Sequence, residues 1–393
     1  MKQVDFERSS VLRCILQSAL PMLVAQVLNL LYNIVDLIYI ARIPGIGTDA
    51  IGAVGLCFPV VILIAAFTSL YGSGGAPLYS MAFGRRDLPR AGLLMNIAFR
   101  LEVMTGIVLM IFGEIFCVPL LRLFGASPVT LPLAESYLRI FLLGTVFSMI
   151  AGGMNPFINA QGYAIIGMLT VAVGAVLNIA LDPLFLFVLR MGVRGAALAT
   201  ILSQIVSACF VLYFLTSPGT MSRLTRLPWK VLSGCGKEIR SIISLGLTSF
   251  VMQFTNSLVS ISCNSVLSHT GGDVYVSVMT IISSVRQLLD TPILAVADGS
   301  SPVISYNYGA GRWKRVRSAI RVMTILCFSY TILTWIFILV RSDLVIGIFT
   351  SDREILKDAM PAMHIYFFAF VFQTFQYAGQ TTFKALGKSR KAI

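Results

Sequence analysis

Charge is what this 393-residue sequence has least of. Charged residues make up 12 % of it, against roughly a quarter in ordinary soluble domains. A soluble sphere has to cover itself with polar groups, and this chain cannot, so a soluble globular fold is excluded. With 57 % apolar residues a disordered chain is excluded as well. Acid is the scarcer sign, with 17 Asp and Glu against 30 Lys and Arg. Histidine occurs twice, at His269 and His364, and neither HExxH nor GxSxG is present. An intramembrane protease or hydrolase therefore has no visible catalytic set. The seven cysteines (Cys14, Cys57, Cys117, Cys209, Cys235, Cys263 and Cys327) are scattered and odd in number, with no CxxC pair. Neither a zinc site nor a disulfide framework is supported, and no cofactor is implied.

Long apolar runs fill the place that charge leaves. Crossing a bilayer takes about 20 mostly apolar residues. By that ruler the chain holds about ten segments, centred near Asn29, Leu63, Val108, Thr145, Val173, Ser203, Val259, Ser284, Ser329 and Phe370. The fold class expected is an all-α polytopic membrane protein. The first segment starts near Val11, contains Asp36 and lacks an AxA cleavage site. It reads as a retained helix and not a signal peptide.

The net charge of +13 sits in short clusters between these segments. Basic residues mark the N-terminus (Lys2, Arg8, Arg13), the second loop (Arg85, Arg86, Arg90) and the sixth (Arg223, Arg226, Lys230, Lys237, Arg240). They recur in the eighth loop (Arg312, Lys314, Arg315, Arg317) and at the C-terminus (Lys384, Lys388, Arg390, Lys391). This is the pattern of loops held against anionic lipid, not of a nucleic-acid-binding module. The positive-inside rule puts both termini in the cytoplasm, and the plasma (inner) membrane is the expected location. Arg190 and Arg194 fall in an odd-numbered loop and run against that pattern.

An internal repeat organises the chain. Gln26 and Asn29 recur as Gln253 and Asn256, 227 residues later. Ser80–Gly84–Arg85–Arg86 recurs as Ser305–Gly309 with Arg312; Phe124 before Ser127 recurs as Phe349 before Ser351; Ala160–Gly162 recurs as Ala385–Gly387. Four matches in order at nearly one offset are hard to reach by chance. An offset of six spans conserves orientation, so the repeats are parallel, related by an axis along the membrane normal. The expected domains are an N-lobe of six helices at 1–215, a cytoplasmic linker at 216–238 with a short surface helix around Trp229, and a C-lobe of four helices at 239–393. Measured against the first half, the second is short of two helices, so ten of a twelve-helix design are expected.

Polar residues inside the apolar runs carry the functional expectation, because a charge at mid-bilayer costs about 2.5 to 3.5 kcal/mol. Gln26, Asn29, Asn33 and Asp36 are spaced 3, 4 and 3 apart and form one helical stripe. Pro21 precedes them and permits a kink. Asn178 and Asp182 share a face at i,i+4 with Pro183 following, and Thr200 lies two turns into the next segment. Carboxylate, amide and hydroxyl oxygens suit a hard cation. Two carboxyls sharing one site cannot both stay charged cheaply, so one is a candidate proton carrier. The plainer alternative is that these amides join neighbouring helices. In the second half Gln253, Asn256, Ser260 and Asn264 keep the stripe, but Cys263 stands near the position of the acid. Arg286 and Asp290 read as a structural ion pair, and Gln373, Gln376 and Gln380 either line a cavity or join helices.

Two phosphate-binding patterns fail. Gly387–Lys388–Ser389 ends like a P-loop, but Thr382 occupies the place that needs Gly; Gly72–Ser73–Gly74–Gly75 follows no strand. Any pumping must draw on an ion gradient.

At these residues the chain resembles the multidrug and toxic compound extrusion (MATE) family, most closely its bacterial DinF-like and MepA-like branch. The likeness rests on Pro21 with Asp36, Ala82-Phe-Gly84-Arg85-Arg86, and Asn159-Ala-Gln-Gly162. Further along it rests on Asn178-xxx-Asp182-Pro183, Gly192-Val-Arg-Gly-Ala-Ala-Leu-Ala-Thr200, and Phe383-Lys-Ala-Leu-Gly387. The resemblance implies a twelve-helix, two-lobed, monomeric antiporter that exports amphipathic or cationic compounds in exchange for H⁺ or Na⁺. By position, Asp36, Asn178, Asp182 and Thr200 match the family's cation or proton site, which would hold Na⁺ in a sodium-coupled protein. Pro21 matches the proline at which the first helix bends. Gln26, Asn29, Asn33, Gln253, Asn256, Gln373 and Gln376 are cavity or substrate candidates. The alternatives are a lipid-linked saccharide flippase of the same superfamily, which needs several cavity cations, and a non-transporting truncated remnant.

Overall fold

The apolar runs fold as helices because a backbone in lipid has to satisfy its own hydrogen bonds. The computed structural model describes residues 3–225, 234–347 and 353–392. Among these there is no strand. In chain order the helices are α1 (Val11–Ala41), α2 (Gly47–Gly84), α3 (Leu88–Leu123), α4 (Thr130–Leu143), α5 (Thr145–Ala160), α6 (Ala164–Pro183) and α7 (Val193–Thr216). They continue as α8 (Gly236–Gly309), α9 (Trp313–Gly347), α10 (Arg353–Phe367), α11 (Phe370–Ala385) and the single turn α12 (Ser389–Ala392). Seven described helices are long and apolar enough to cross a membrane, or eight if α4 and α5, bent by 55°, make one span. The outer surface agrees, with Val108, Ile115, Leu333 and Phe372 each more than 60 % exposed. Where two segments are expected near Val259 and Ser284, helical backbone runs through both as the 74 residues of α8. The expected surface helix at Trp229, the Phe349–Ser351 repeat match, and the side chains of Ser260 and Asn264 lie outside the described residues.

Local chemistry sets the element ends. Asp87 caps α3 by accepting from the Arg90 backbone N–H at 3.1 Å. Pro183 ends α6 and is followed by a wide turn of π-helix at Leu184–Val188, a form frequent at functional sites.

Buried apolar residues gather into two clusters. One is built from α2–α7 together with Ile40, Ile43, Leu186, Cys235 and Ile242. The other is built from α8–α11. It also takes in Val4, Phe6, Cys14 and Ile15, so the N-terminal segment packs these side chains with the second half of the chain, while its backbone reaches the first, the Val4 N–H donating to the Gly162 carbonyl at 2.9 Å.

The repeat is visible in backbone geometry. Gly162 and Gly387, 225 residues apart, both adopt left-handed φ, +86° and +70°. Arg86 and Gly311 do the same at the same offset, +63° and +72°. The two repeat loops also touch each other. A Cβ on Gly84 would run into the Tyr306 carbonyl, and a Cβ on Gly309 into the Met81 carbonyl. Since 81 and 84 map to 306 and 309 by the same offset, the two contacts are one contact seen twice across a pseudo-twofold axis. Glu7 reinforces this end by pairing with Arg86 at 3.7 Å and with Arg312. Arg315 holds the N-terminal segment through the carbonyls of Phe6 at 3.0 Å and Ser9 at 2.7 Å. The two halves are therefore in contact at the end that carries the basic loops.

Candidate functional site

Helix α6 places Asn178 and Asp182 one turn apart on its buried face. Asn178 is 2 % exposed, and Asp182 is fully buried. The Asn178 amide donates to Asp182 Oδ1 at 3.5 Å and to Thr200 Oγ1 of α7 at 3.4 Å. Thr200 spends its own proton on the Ala196 carbonyl at 3.0 Å, which leaves its oxygen as an acceptor. Gly195 lets α7 come this near, because a Cβ there would lie 3.0 Å from the Phe185 backbone. From α1, Asp36 brings its carboxyl within hydrogen-bonding reach of Asp182. Side chains 36, 178, 182 and 200, distant in sequence, thus meet at one point.

The cluster is rich in oxygen and short of donors. Asp36 Oδ1, Asn178 Oδ1 and Asp182 Oδ2 are buried, and none has a hydrogen-bond partner. Buried acceptors without donors are costly. A proton shared by the carboxyls, or a small hard cation bound to the oxygens, would relieve that cost. The donor set fits Na⁺ as well as H⁺, and it lacks the His and Cys ligands a transition metal prefers. Among the described residues no three of His, Cys, Asp and Glu gather to hold a metal.

A cavity of about 490 Å³ opens between the two halves. Gln26, Asn29 and Tyr32 of α1 line one wall, Ser69 and Ser73 of α2 another, and Asn178 and Thr200 a third. Asn178 and Thr200 therefore belong both to the oxygen cluster and to the cavity wall. Asp36 and Asp182 stand behind them and do not line the cavity. The volume lies within the range of small-molecule sites, about 300 to 1,000 Å³.

The other candidates are placed as follows. Pro21 lies half-buried within α1, and the helical run is continuous through it. Asn33 is exposed and donates to the Asn29 carbonyl at 2.6 Å. Gln253 of α8 donates to Ser69 Oγ at 2.6 Å and so reaches the cavity rim from the second half. Asn256 and Gln376 are exposed and outside the cavity. Gln373 donates to Asp290 Oδ2 at 3.2 Å. There it joins Arg286, which pairs with Asp290 at 3.3 Å and donates to Tyr366 Oη at 2.7 Å.

Four residues outside the expected site set stand near it: Tyr137, Glu102, Asp298 and Lys384. Tyr137 of α4, 5 % exposed, sits in the electrostatic neighbourhood of Asp36 and Asp182. Glu102 of α3 is fully buried with neither carboxyl oxygen partnered. Asp298 and Lys384 line the cavity from the second half. Lys384 corrects the charge map: grouped by sequence with the C-terminal basic loop, it stands on α11 facing the cavity.

The MatE family profile matches residues 21–184 and 249–393. The multidrug export protein MepA of Staphylococcus aureus (strain MSSA476) is 25 % identical over 356 residues, covering 90 % of this chain and 77 % of MepA. A crystal structure of MATE in complex with MaD3S superposes with a TM-score of 0.91 at 27 % identity, covering 100 % of this chain and 86 % of that one. The outward-facing conformation of a multidrug resistance MATE family transporter of the MOP superfamily superposes at 0.90, with 27 % identity and the same coverage.

Proposed function

The chain belongs to the MatE family of transporters, and on that premise we propose that it is a secondary active antiporter exporting amphipathic or cationic compounds in exchange for H⁺ or Na⁺. It is a multi-pass membrane transporter and not an enzyme. The observation that carries the reading is the oxygen cluster of Asp36, Asn178, Asp182 and Thr200, whose two neutral members also form the cavity wall.

The chemistry follows from that adjacency. With both acids ionised, the wall presents negative charge and attracts a lipophilic cation. A bound proton or Na⁺ cancels the charge and removes the advantage. Cation and substrate then oppose each other through one electrostatic term, and the gradient supplies about 2.3 kcal/mol per charge per 100 mV. In this reading residues 1–215 and 239–393 are the two lobes of a twelve-helix design, joined by the 216–238 linker. The chain works as a monomer in the plasma membrane with both termini cytoplasmic. Contact between the halves at the Glu7–Arg86–Arg312 end, which carries the basic loops, supports an outward-facing state. A pyrophosphate-carrying lipid is less well served. Lys384 is the one cation among the described cavity-lining residues, while Arg139 and Arg286 are paired with carboxylates elsewhere.

The test is movement of a fluorescent lipophilic cation in proteoliposomes under imposed H⁺ and Na⁺ gradients. Gradient-driven movement should be lost in Asp36→Asn, and the equilibrium binding of the dye that remains should be weaker and less sensitive to the coupling ion. Coupled export unchanged in Asp36→Asn would sink the proposal.

A further inference from the structure

Two charged groups line the cavity among its described residues, and they have opposite signs. Asp298 comes from α8 and Lys384 from the last turn of α11. Each lies in the other's field, yet they close no ion pair among the described residues. Lys384 Nζ instead donates to Ser249 Oγ at 2.8 Å. That hydroxyl is itself held by Ser73 of α2, which donates to it at 2.9 Å. The serine pair ties the ammonium to the Ser73–Ser249 wall. An ammonium has three donors, and Ser249 uses one. The rest of the lining is neutral, with apolar ground at Met22, Ala25 and Ala76.

We propose that Asp298 and Lys384 are the two poles of a recognition site that takes amphiphiles bearing both a cationic and a carboxylate group. Resting on the reading of this cavity as the substrate chamber, it assigns specificity to residues outside the Asp36–Asp182 cluster. The physical reason is desolvation. A ligand with a positive end alone satisfies Asp298 and leaves the lysine unmatched in a confined space of low dielectric, where an unpaired charge is costly. A ligand with both ends satisfies both poles, and its apolar body lies on the neutral wall. The carboxylate replaces Ser249 as a partner of Lys384, and a charge-assisted bond is about twice as strong as a neutral one.

Rhodamine 110 and rhodamine 123 isolate the effect, because the second is the methyl ester of the first and both carry the same cationic ring system. Binding of each to the detergent-purified full chain is read by fluorescence anisotropy at neutral pH. Lys384→Gln should weaken rhodamine 110 by about tenfold or more while rhodamine 123 holds or tightens. Lys384→Arg should restore rhodamine 110, and Asp298→Asn should weaken both dyes alike. The proposal is overturned if Lys384→Gln shifts both dyes equally, the mark of a lysine that only latches α11 to Ser249. It is equally overturned if neither dye shifts, or if the wild type fails to bind rhodamine 110. Failure of the antiporter reading looks different: both dyes bind with the expected variant pattern, but no gradient drives either across a vesicle.

Discussion

A methyl group added at Gly84 or at Gly309 should open the basic-loop end of the molecule, and the two substitutions should do so alike. A Cβ on Gly84 would point into the Tyr306 carbonyl, with Tyr306 C at 2.9 Å and Ala310 N at 3.1 Å. A Cβ on Gly309 would meet Met81, with C and Cα both at 2.8 Å. Heavy atoms of this kind rest at roughly 3.5 to 4 Å, and both obstacles are backbone, which cannot rotate aside. The helices would have to part by about an ångström, at a cost of about 1 to 3 kcal/mol by analogy with overpacked cores. If that cost falls on the closed end alone, its population relative to the open form drops by about 5- to 150-fold. Spin labels at Arg90 and Lys314, both exposed, report the separation of the two loops by double electron–electron resonance. Gly84→Ala and Gly309→Ala should each add a longer distance, and the double variant should add less than their sum because both load the same interface. Gly55→Ala is the control, since a Cβ there meets nothing within 4 Å. An unchanged distance distribution in both variants, or a shift in one alone, would refute the argument from a pseudo-twofold contact.

Glu7 holds the same end by charge. The Arg312 side chain hydrogen-bonded to it, with Arg86 nearby, keeps its carboxyl below the ordinary value of 4.5. A depressed carboxylate contributes stability that is complete above its ordinary value and is lost as pH falls through the depressed one. The label distance should therefore be flat from neutral pH down to the ordinary glutamate range and lengthen only in stronger acid. Glu7→Gln should lengthen it at neutral pH, and a variant insensitive to both treatments would show that Glu7 is not part of the closure. Thr200→Val keeps the side-chain shape and removes one oxygen from the coupling cluster. The concentration of the coupling ion giving half-maximal transport should rise by about tenfold; an unchanged ion requirement would remove Thr200 from the site.

Hydropathy along the chain was enough to establish an all-helical membrane protein, because burial in lipid depends on local composition and a helix satisfies its own backbone. Spacing was enough to put Asn178 and Asp182 on one face, since i,i+4 is a property of any helix. The repeat could be read from four short matches, and the paired left-handed residues at 162 and 387 show its backbone counterpart. Other features had no one-dimensional signal. Nothing along the chain says that Val4–Ile15 packs with the second half, or that Glu7 bridges Arg86 and Arg312; those depend on how helices from opposite halves are juxtaposed. Lys384 shows the limit most clearly. Near the C-terminus, among lysines and arginines, it reads as a loop residue, and only the packing of α11 against α8 and α2 turns it into the cavity. Asn33 and Gln26 share a stripe in sequence, yet Gln26 lines the cavity and Asn33 does not. A helical stripe fixes an angle about an axis, while the neighbours that cover it are set by the tertiary arrangement alone.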